Sequence, residues 1–258
     1  MKTESQLREE IVQVGRLMFD KGWIAANDGN LSIRLDDDRL LATPTGISKG
    51  MMRPEDLILC DLNGAKLCGS RECTSELAMH LTIYQLRPDV RSVVHAHPPV
   101  ATGFAAAGRA LDMALLPEVV ICLGSIPLAD YGLPGTPALT EGMLPYIPKY
   151  DAMLMANHGA VAYGEDILQA YHRMETVEHF ARITLVAELL GGPKVLPRVE
   201  VQRLFEARSR YHVKSKNHLE PGAPMTAEDM PEPGEKIEMT RQQLLAIIDE
   251  ALKVRGVF

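Results

Sequence analysis

The 258-residue sequence predicts an α/β fold in three layers, α/β/α, around a mixed and largely antiparallel central sheet. Three observations carry that expectation. Apolar runs with strand periodicity interleave with runs of helical periodicity, but without the strict βαβ rhythm of a doubly wound parallel sheet. Several strand-like runs are joined by turn sequences short enough to be hairpins. The run from Glu165 to Leu190 keeps helical spacing throughout and can cover one face of a sheet.

In chain order, residues 3 to 20 form an opening amphipathic helix, with Leu7, Ile11, Val14 and Met18 at helical spacing behind a Thr3 to Gln6 capping box. "NDGNLSIRLDDDRLLATPTGISKG" then holds two strand-like runs parted by an acidic turn and flanked by glycine-containing loops. "DLILCDLNGAKL" reads as strand, Asn63-Gly64 turn and strand. "TSELAMHLTIYQLRP", residues 74 to 88, is a helix with hydroxyls at its start and a stop at Pro88, and the buried strand "RSVVHAH" follows at once. "EVVICLGSIPLADY" and "DAMLMANHG" read as further strands, with the short helix "TPALTEGML" between them. The long helix ends at Gly191-Gly192-Pro193. Residues 216 to 239, with four prolines, read as an extended linker. Beyond it "TRQQLLAIIDEALKV" is a terminal helix with a Thr240 to Gln243 capping box. The chain therefore divides into residues 1–215, one catalytic-sized domain, and residues 216–258, a linker with a C-terminal helix.

Composition narrows the function classes. Hydrophobic content of 46% and charged content of 24% are ordinary for a globular protein. A formal charge of −7, with Lys and Arg scattered, argues against nucleic acid or an anionic membrane as the main partner. The polar start "MKTESQLREE" is no signal peptide, and no stretch of 18 apolar residues offers a membrane span, so the expectation is a cytoplasmic protein. Cys60, Cys68, Cys73 and Cys122 have no framework spacing and read as reduced thiols.

The chemistry-bearing feature is "VRSVVHAHPP". In a strand, residues i and i+2 share a face, so His95 and His97 project together, about 7 Å apart along the chain. Two readings stand: two ligands of one metal, or two hydrogen-bonded core histidines. His158, in "LMANHGAVAYG", sits at another strand end before Gly159 and supplies a third imidazole. Three histidines with an acid match a catalytic zinc site better than a structural one, which would lean on cysteine. The acid candidate is Glu76, at the start of the helix that feeds the His95 strand, where a carboxylate can also be purely structural. His80, four residues on, is either a rival ligand or part of the helix packing face. "NDGN", "TPTG" and "CTS" offer Asn30, Thr45, Gly46, Thr74 and Ser75 as neutral donors for a phosphate.

"DGNLSIR", "TPTGIS", "SELAMHLTIYQLRPDVRSVVHAHP", "YGLPGT" and "ANHGAVAYGEDILQAYHRMETVEHFAR" stand in register with the blocks of a known family. From about residue 5 to 212 the chain resembles the class II aldolase and adducin family, in its fuculose-phosphate aldolase type. The resemblance implies a lyase that cleaves a ketose 1-phosphate to dihydroxyacetone phosphate and a small aldehyde. It implies Zn²⁺, or Mn²⁺ or Co²⁺, on His95, His97 and His158, with Glu76 as labile fourth ligand and catalytic base. It places Gly29, Asn30, Thr45, Gly46, Thr74 and Ser75 in the phosphate pocket, Tyr211 as a residue that closes over the site, and the chain in a homotetramer. Related 4-epimerases carry Asp where this chain has Glu76. Methylthioribulose-phosphate dehydratases, sugar-acid phosphate decarboxylases and non-catalytic adducin-like association modules share the fold. Where fuculose-phosphate aldolases have an acid tyrosine, ungapped counting finds Leu116, with Glu118 and Tyr131 nearby.

Overall fold

In a computed structural model, residues 2–211 are described; the 215/216 boundary, the linker, the terminal helix, His212 and His218 lie outside them. Helix α1 spans Glu4–Asp20. Thr3 caps it as a capping box, its hydroxyl accepting from the Gln6 backbone and its own N–H donating to the Gln6 side chain. Strands β1 (Asn30–Arg34), β2 (Arg39–Ala42), β3 (Ile58–Asp61) and β4 (Lys66–Cys68) follow, then α2 (Leu77–Leu86), β5 (Ser92–Ala96) and α3 (Pro99–Ala106). Next come α4 (Pro117–Cys122), β6 (Leu128–Ala129), α5 (Pro137–Met143), β7 (Ala152–Met155), β8 (Gly159–Gly164), α6 (Ile167–Leu189) and α7 (Arg198–Ala207).

The strands form one sheet in the order β4-β3-β2-β1-β5-β8-β7-β6. Every adjacent pair is antiparallel except β6 with β7, so the expected mixed, largely antiparallel sheet is what the chain builds. Helices cover both faces. Leu31, Ile33, Val94 and Ala162 face a core made with Ile11, Val14 and Met18 of α1 and Met174, Val177 and Phe180 of α6. Their strand neighbours Val93, Val161 and Tyr163 face Met79 and Ile83 of α2 and Leu139 and Met143 of α5. Alternation along each strand thus feeds two cores, which explains why the central strands read as continuous apolar runs.

Two segments differ from the sequence expectation. "EVVIC" is the helix α4, with Pro117 in its first turn, and only Leu128–Ala129 of the expected strand joins the sheet. A short apolar run has no period that separates a buried strand from a buried helix, and Pro117 pre-sets the helical φ. The helix expected from residue 74 begins at Leu77, which leaves Thr74, Ser75 and Glu76 in the turn before it.

Candidate metal centre and active site

The central pairing assembles the site. Strand β5 is flanked by β1 and β8, with Asn30 opposite His95 and Ala96 opposite Ala160. His97 stands one residue past the end of β5, anchored by its N–H to the Trp23 carbonyl at 2.9 Å. His158 precedes β8 at the tight turn from β7, where Asn157 has φ +55°. Gly159 is required there for space, since a Cβ would lie 2.5 Å from His97 Cδ2 and 2.6 Å from the Ala96 carbonyl. Gly29, at φ +67°, is equally constrained, because its Cβ would meet the His95 carbonyl at 2.9 Å.

His95, His97 and His158 converge, each offering one ring nitrogen within 4.8 Å of the others. The Nε2 atoms of His95 and His97 are 3.1 Å apart. Glu76, the residue that caps α2, meets two of them, with Oε2 at 3.2 Å from His95 Nε2 and Oε1 at 3.1 Å from His158 Nε2. His95 Nδ1 donates to the Ala160 carbonyl at 2.9 Å, so a neutral His95 ring presents a bare lone pair at Nε2. That lone pair faces a carboxylate oxygen and another imidazole nitrogen, an arrangement that a shared proton or a cation among them satisfies. Nitrogens about 3.3 Å apart are what bonds of 2.0–2.1 Å to one tetrahedral ion produce. The donor set and its spacing therefore fit a divalent metal.

The electrostatics agree with that use. Burial pushes the Glu76 carboxyl up, but its contacts with His95 and His158 outweigh it and hold Glu76 well below the usual carboxylate range. Burial and the neighbouring His95 and His158 push His97 down to about 4, so this ring is neutral and ready to ligate at neutral pH. Asp28, with Oδ2 at 3.7 Å from His97 Nδ1, supplies a field on that ring but no hydrogen bond.

Three loops meet beside the centre. The Thr45 N–H donates to the Glu72 carbonyl at 3.0 Å and the Thr74 N–H to the Thr43 carbonyl at 3.1 Å, which lays Thr45 and Gly46 alongside Thr74 and Ser75. Thr45, Gly46 and Ser75 are exposed, while Thr74, Gly29 and Asn30 are buried. Buried Lys49 ties the two glycine loops together, its Nζ donating to the Asn27 carbonyl at 2.6 Å and the Ile47 carbonyl at 3.2 Å. Burial pushes its pKa down to about 8 against the fields of Asp28 and Glu76. The Asn30 side chain donates to Glu76 Oε2 at 2.7 Å. His80 is wholly buried in α2 and bonds Asn30 Oδ1, so it packs behind the centre and the cluster of three histidines leaves it out. Leu116 caps α4 and is half-buried, Tyr131 is exposed, and the Tyr211 side chain lies outside the described residues. His172 and His179 are exposed on α6.

Lys49, Asp28 and the role of Asn30 and His80 escape a reading of motifs. A signal for the last two exists: Asn30 and Ser32 share a strand face, and Glu76, His80 and Tyr84 share a helix stripe, so the two rows can meet.

The profile of the Class II Aldolase and Adducin N-terminal domain family matches residues 9–185. The chain belongs to the class II aldolase family. It is 36% identical to an L-fuculose phosphate aldolase of Methanococcus maripaludis over 177 residues, covering 69% of this chain and 95% of that one. It is 33% identical to a 3-oxo-tetronate 4-phosphate decarboxylase of Pectobacterium atrosepticum over 200 residues, 76% of this chain and 89% of the other. A solved L-fuculose 1-phosphate aldolase superposes with a TM-score of 0.74 at 30% identity, over 81% of this chain and 98% of its own. With these relatives and the three-histidine centre, the chain is an enzyme of the metal-dependent lyase class.

Proposed function

We propose that this enzyme cleaves a ketose 1-phosphate to dihydroxyacetone phosphate and a small aldehyde, using Zn²⁺ on His95, His97 and His158. The observation that carries the reading is the convergence of three imidazole nitrogens and the Glu76 carboxylate on one point. Three nitrogens and a carboxylate oxygen are a donor set that zinc favours and that manganese or cobalt can also fill. When bound, such an ion supplies Lewis-acid stabilisation of the negative charge that develops as the C3–C4 bond breaks. The chain's own residues do the rest. Glu76, held ionised and poised at the centre, moves a proton at the enediolate carbon. Thr45, Gly46, Thr74 and Ser75, with the backbone of Gly29, hold the phosphate through neutral donors, and Tyr211 closes over the substrate.

A second reading has its own support. Leu116 can donate no proton, and aldol cleavage needs a group that takes the proton of the C4 hydroxyl and, in reverse, protonates the new alkoxide. A 3-oxo acid phosphate loses CO₂ with no such demand and leaves the same kind of enediolate for Glu76 to protonate. The likeness to the decarboxylase covers 76% of the chain, against 69% for the Methanococcus maripaludis aldolase.

We also assign a homotetramer with sites at subunit borders in a cytoplasmic protein. The exposed Leu185, Val186, Leu189 and Leu190 at the end of α6 support self-association. Among the described residues no helix is long and apolar enough to cross a membrane. The test is a screen of ketose 1-phosphates for coupled release of dihydroxyacetone phosphate, run beside 3-oxo-tetronate 4-phosphates for CO₂. Release of dihydroxyacetone phosphate supports the first reading; CO₂ alone moves the assignment to the second.

A further inference from the structure

Behind Glu76 runs a file of polar side chains almost shut off from solvent: Tyr84 at 2% exposure, Ser32 and His80 at 0%, Asn30 at 3% and Glu76 at 8%. Tyr84 Oη is 2.7 Å from Ser32 Oγ, which is 2.7 Å from His80 Nδ1. His80 Nε2 is 2.5 Å from Asn30 Oδ1, and Asn30 Nδ2 is 2.7 Å from Glu76 Oε2.

Valence fixes the direction of every bond. An ionised Glu76 only accepts, so the Asn30 NH₂ faces it and the Asn30 carbonyl faces His80. His80 Nε2 must then carry the ring proton. A buried ring with no carboxylate in contact stays neutral and has one proton, so Nδ1 accepts from the Ser32 hydroxyl, and Ser32 Oγ accepts from Tyr84. Each bond of the file therefore donates in the direction of Glu76.

We propose that Tyr84, Ser32, His80 and Asn30 are positioning residues that pin Glu76 Oε2 through one directed hydrogen-bond chain, leaving Oε1 as the oxygen that exchanges protons with the substrate carbon. The inference rests on the reading of Glu76 as the base. Oε2 accepts from Asn30 at 2.7 Å, whereas buried Oε1 faces only the His158 ring nitrogen, at 3.1 Å and itself in the ligand set. A carboxylate bound at both oxygens would be a plain ligand; one pinned at a single oxygen keeps its orientation while the other can act. The strand pair β1–β5 and helix α2 supply the rigid frame on which such pre-organisation depends.

The experiment compares His80→Gln, Asn30→Ala and Tyr84→Phe with wild type in the metal-loaded enzyme, alone and combined with Glu76→Gln. Losing an outer partner of this kind costs about 10- to 100-fold in activity. His80→Gln and Asn30→Ala are therefore expected to lower kcat at least about tenfold, with KM and inhibition by inorganic phosphate held within about twofold, and Tyr84→Phe to lower it less. Because the chain acts only through Glu76, adding His80→Gln to Glu76→Gln should cost nothing further, whereas a general packing defect would add its loss again. A raised KM and weakened phosphate inhibition with kcat kept in Asn30→Ala, or additive losses in the cycle, would overturn the proposal. Nitrogen-15 NMR of histidine-labelled, metal-free wild type gives a reading independent of activity and of how the variants fold: His80 as the Nε2–H tautomer supports the chain, and Nδ1–H overturns it. Full activity in Glu76→Gln would defeat the base assignment itself, a result distinct from inactive Glu76→Gln beside unaffected His80 and Asn30 variants.

Discussion

His95 keeps one nitrogen for the backbone of β8 and turns the other to the centre, and that division decides what the ring can do. His97 has no such anchor on its side chain; only its backbone N–H is held, by Trp23. Replacing His97 with Ala is expected to remove most bound metal while the far-ultraviolet spectrum stays unchanged, and full occupancy by elemental analysis would contradict the ligand set. His80 carries a separate consequence. Burial pushes its pKa down to about 3, so the folded protein keeps the ring neutral where the unfolded chain, near 6.5, takes a proton. The unfolded state then binds more protons below pH 6.5, and stability falls as pH falls. Between pH 6.5 and 5 this group's slope approaches about 1.4 kcal/mol per pH unit in metal-free protein. Urea titrations of His80→Gln should show a flatter decline than wild type over that window, and parallel curves would contradict it.

At the scale of elements, the site depends on close approach between the end of β5 and the start of β8. Gly159→Ala puts a Cβ into both Ala96 and His97, so the pair must part. The expected result is a loss of about 1–3 kcal/mol in stability, as for overpacked cores, together with weakened metal binding by calorimetry. Ser75→Ala, in the exposed turn before α2, should leave metal and melting temperature alone and raise KM for the phosphorylated substrate, by the about 1–3 kcal/mol of a lost donor to a charged group. Unchanged KM would place the phosphate elsewhere. Much of this frame is legible in the sequence. The capping box at Thr3 and the period of α6 are local patterns, and each appears where its pattern puts it, while of the His95-x-His97 pair only His95 lies within β5. Helix α4 is not, because "EVVIC" satisfies strand and buried helix equally. The Asn30–Glu76 and Lys49–Asn27 contacts join residues 46 and 22 apart, and no local pattern encodes them. Only the folded sheet decides which neutral side chain meets which.

Across the described residues, one largely antiparallel sheet with apolar cores on both faces makes the platform, and the three clustered histidines sit at one end of its central strands. The scattered charge and net −7 suit a small anionic substrate held by local donors instead of a basic surface. The proposed chemistry turns on a single carboxylate whose Oε2 is pinned by Asn30. The most direct measurement is single-turnover cleavage of a ketose 1-phosphate by metal-loaded wild type and Glu76→Gln, with bound metal determined on the same samples. The account predicts that Glu76→Gln keeps metal on its three histidines and loses about 10²- to 10⁴-fold in rate, the usual contribution of a general base. Near-normal cleavage by Glu76→Gln with the metal still in place would contradict it.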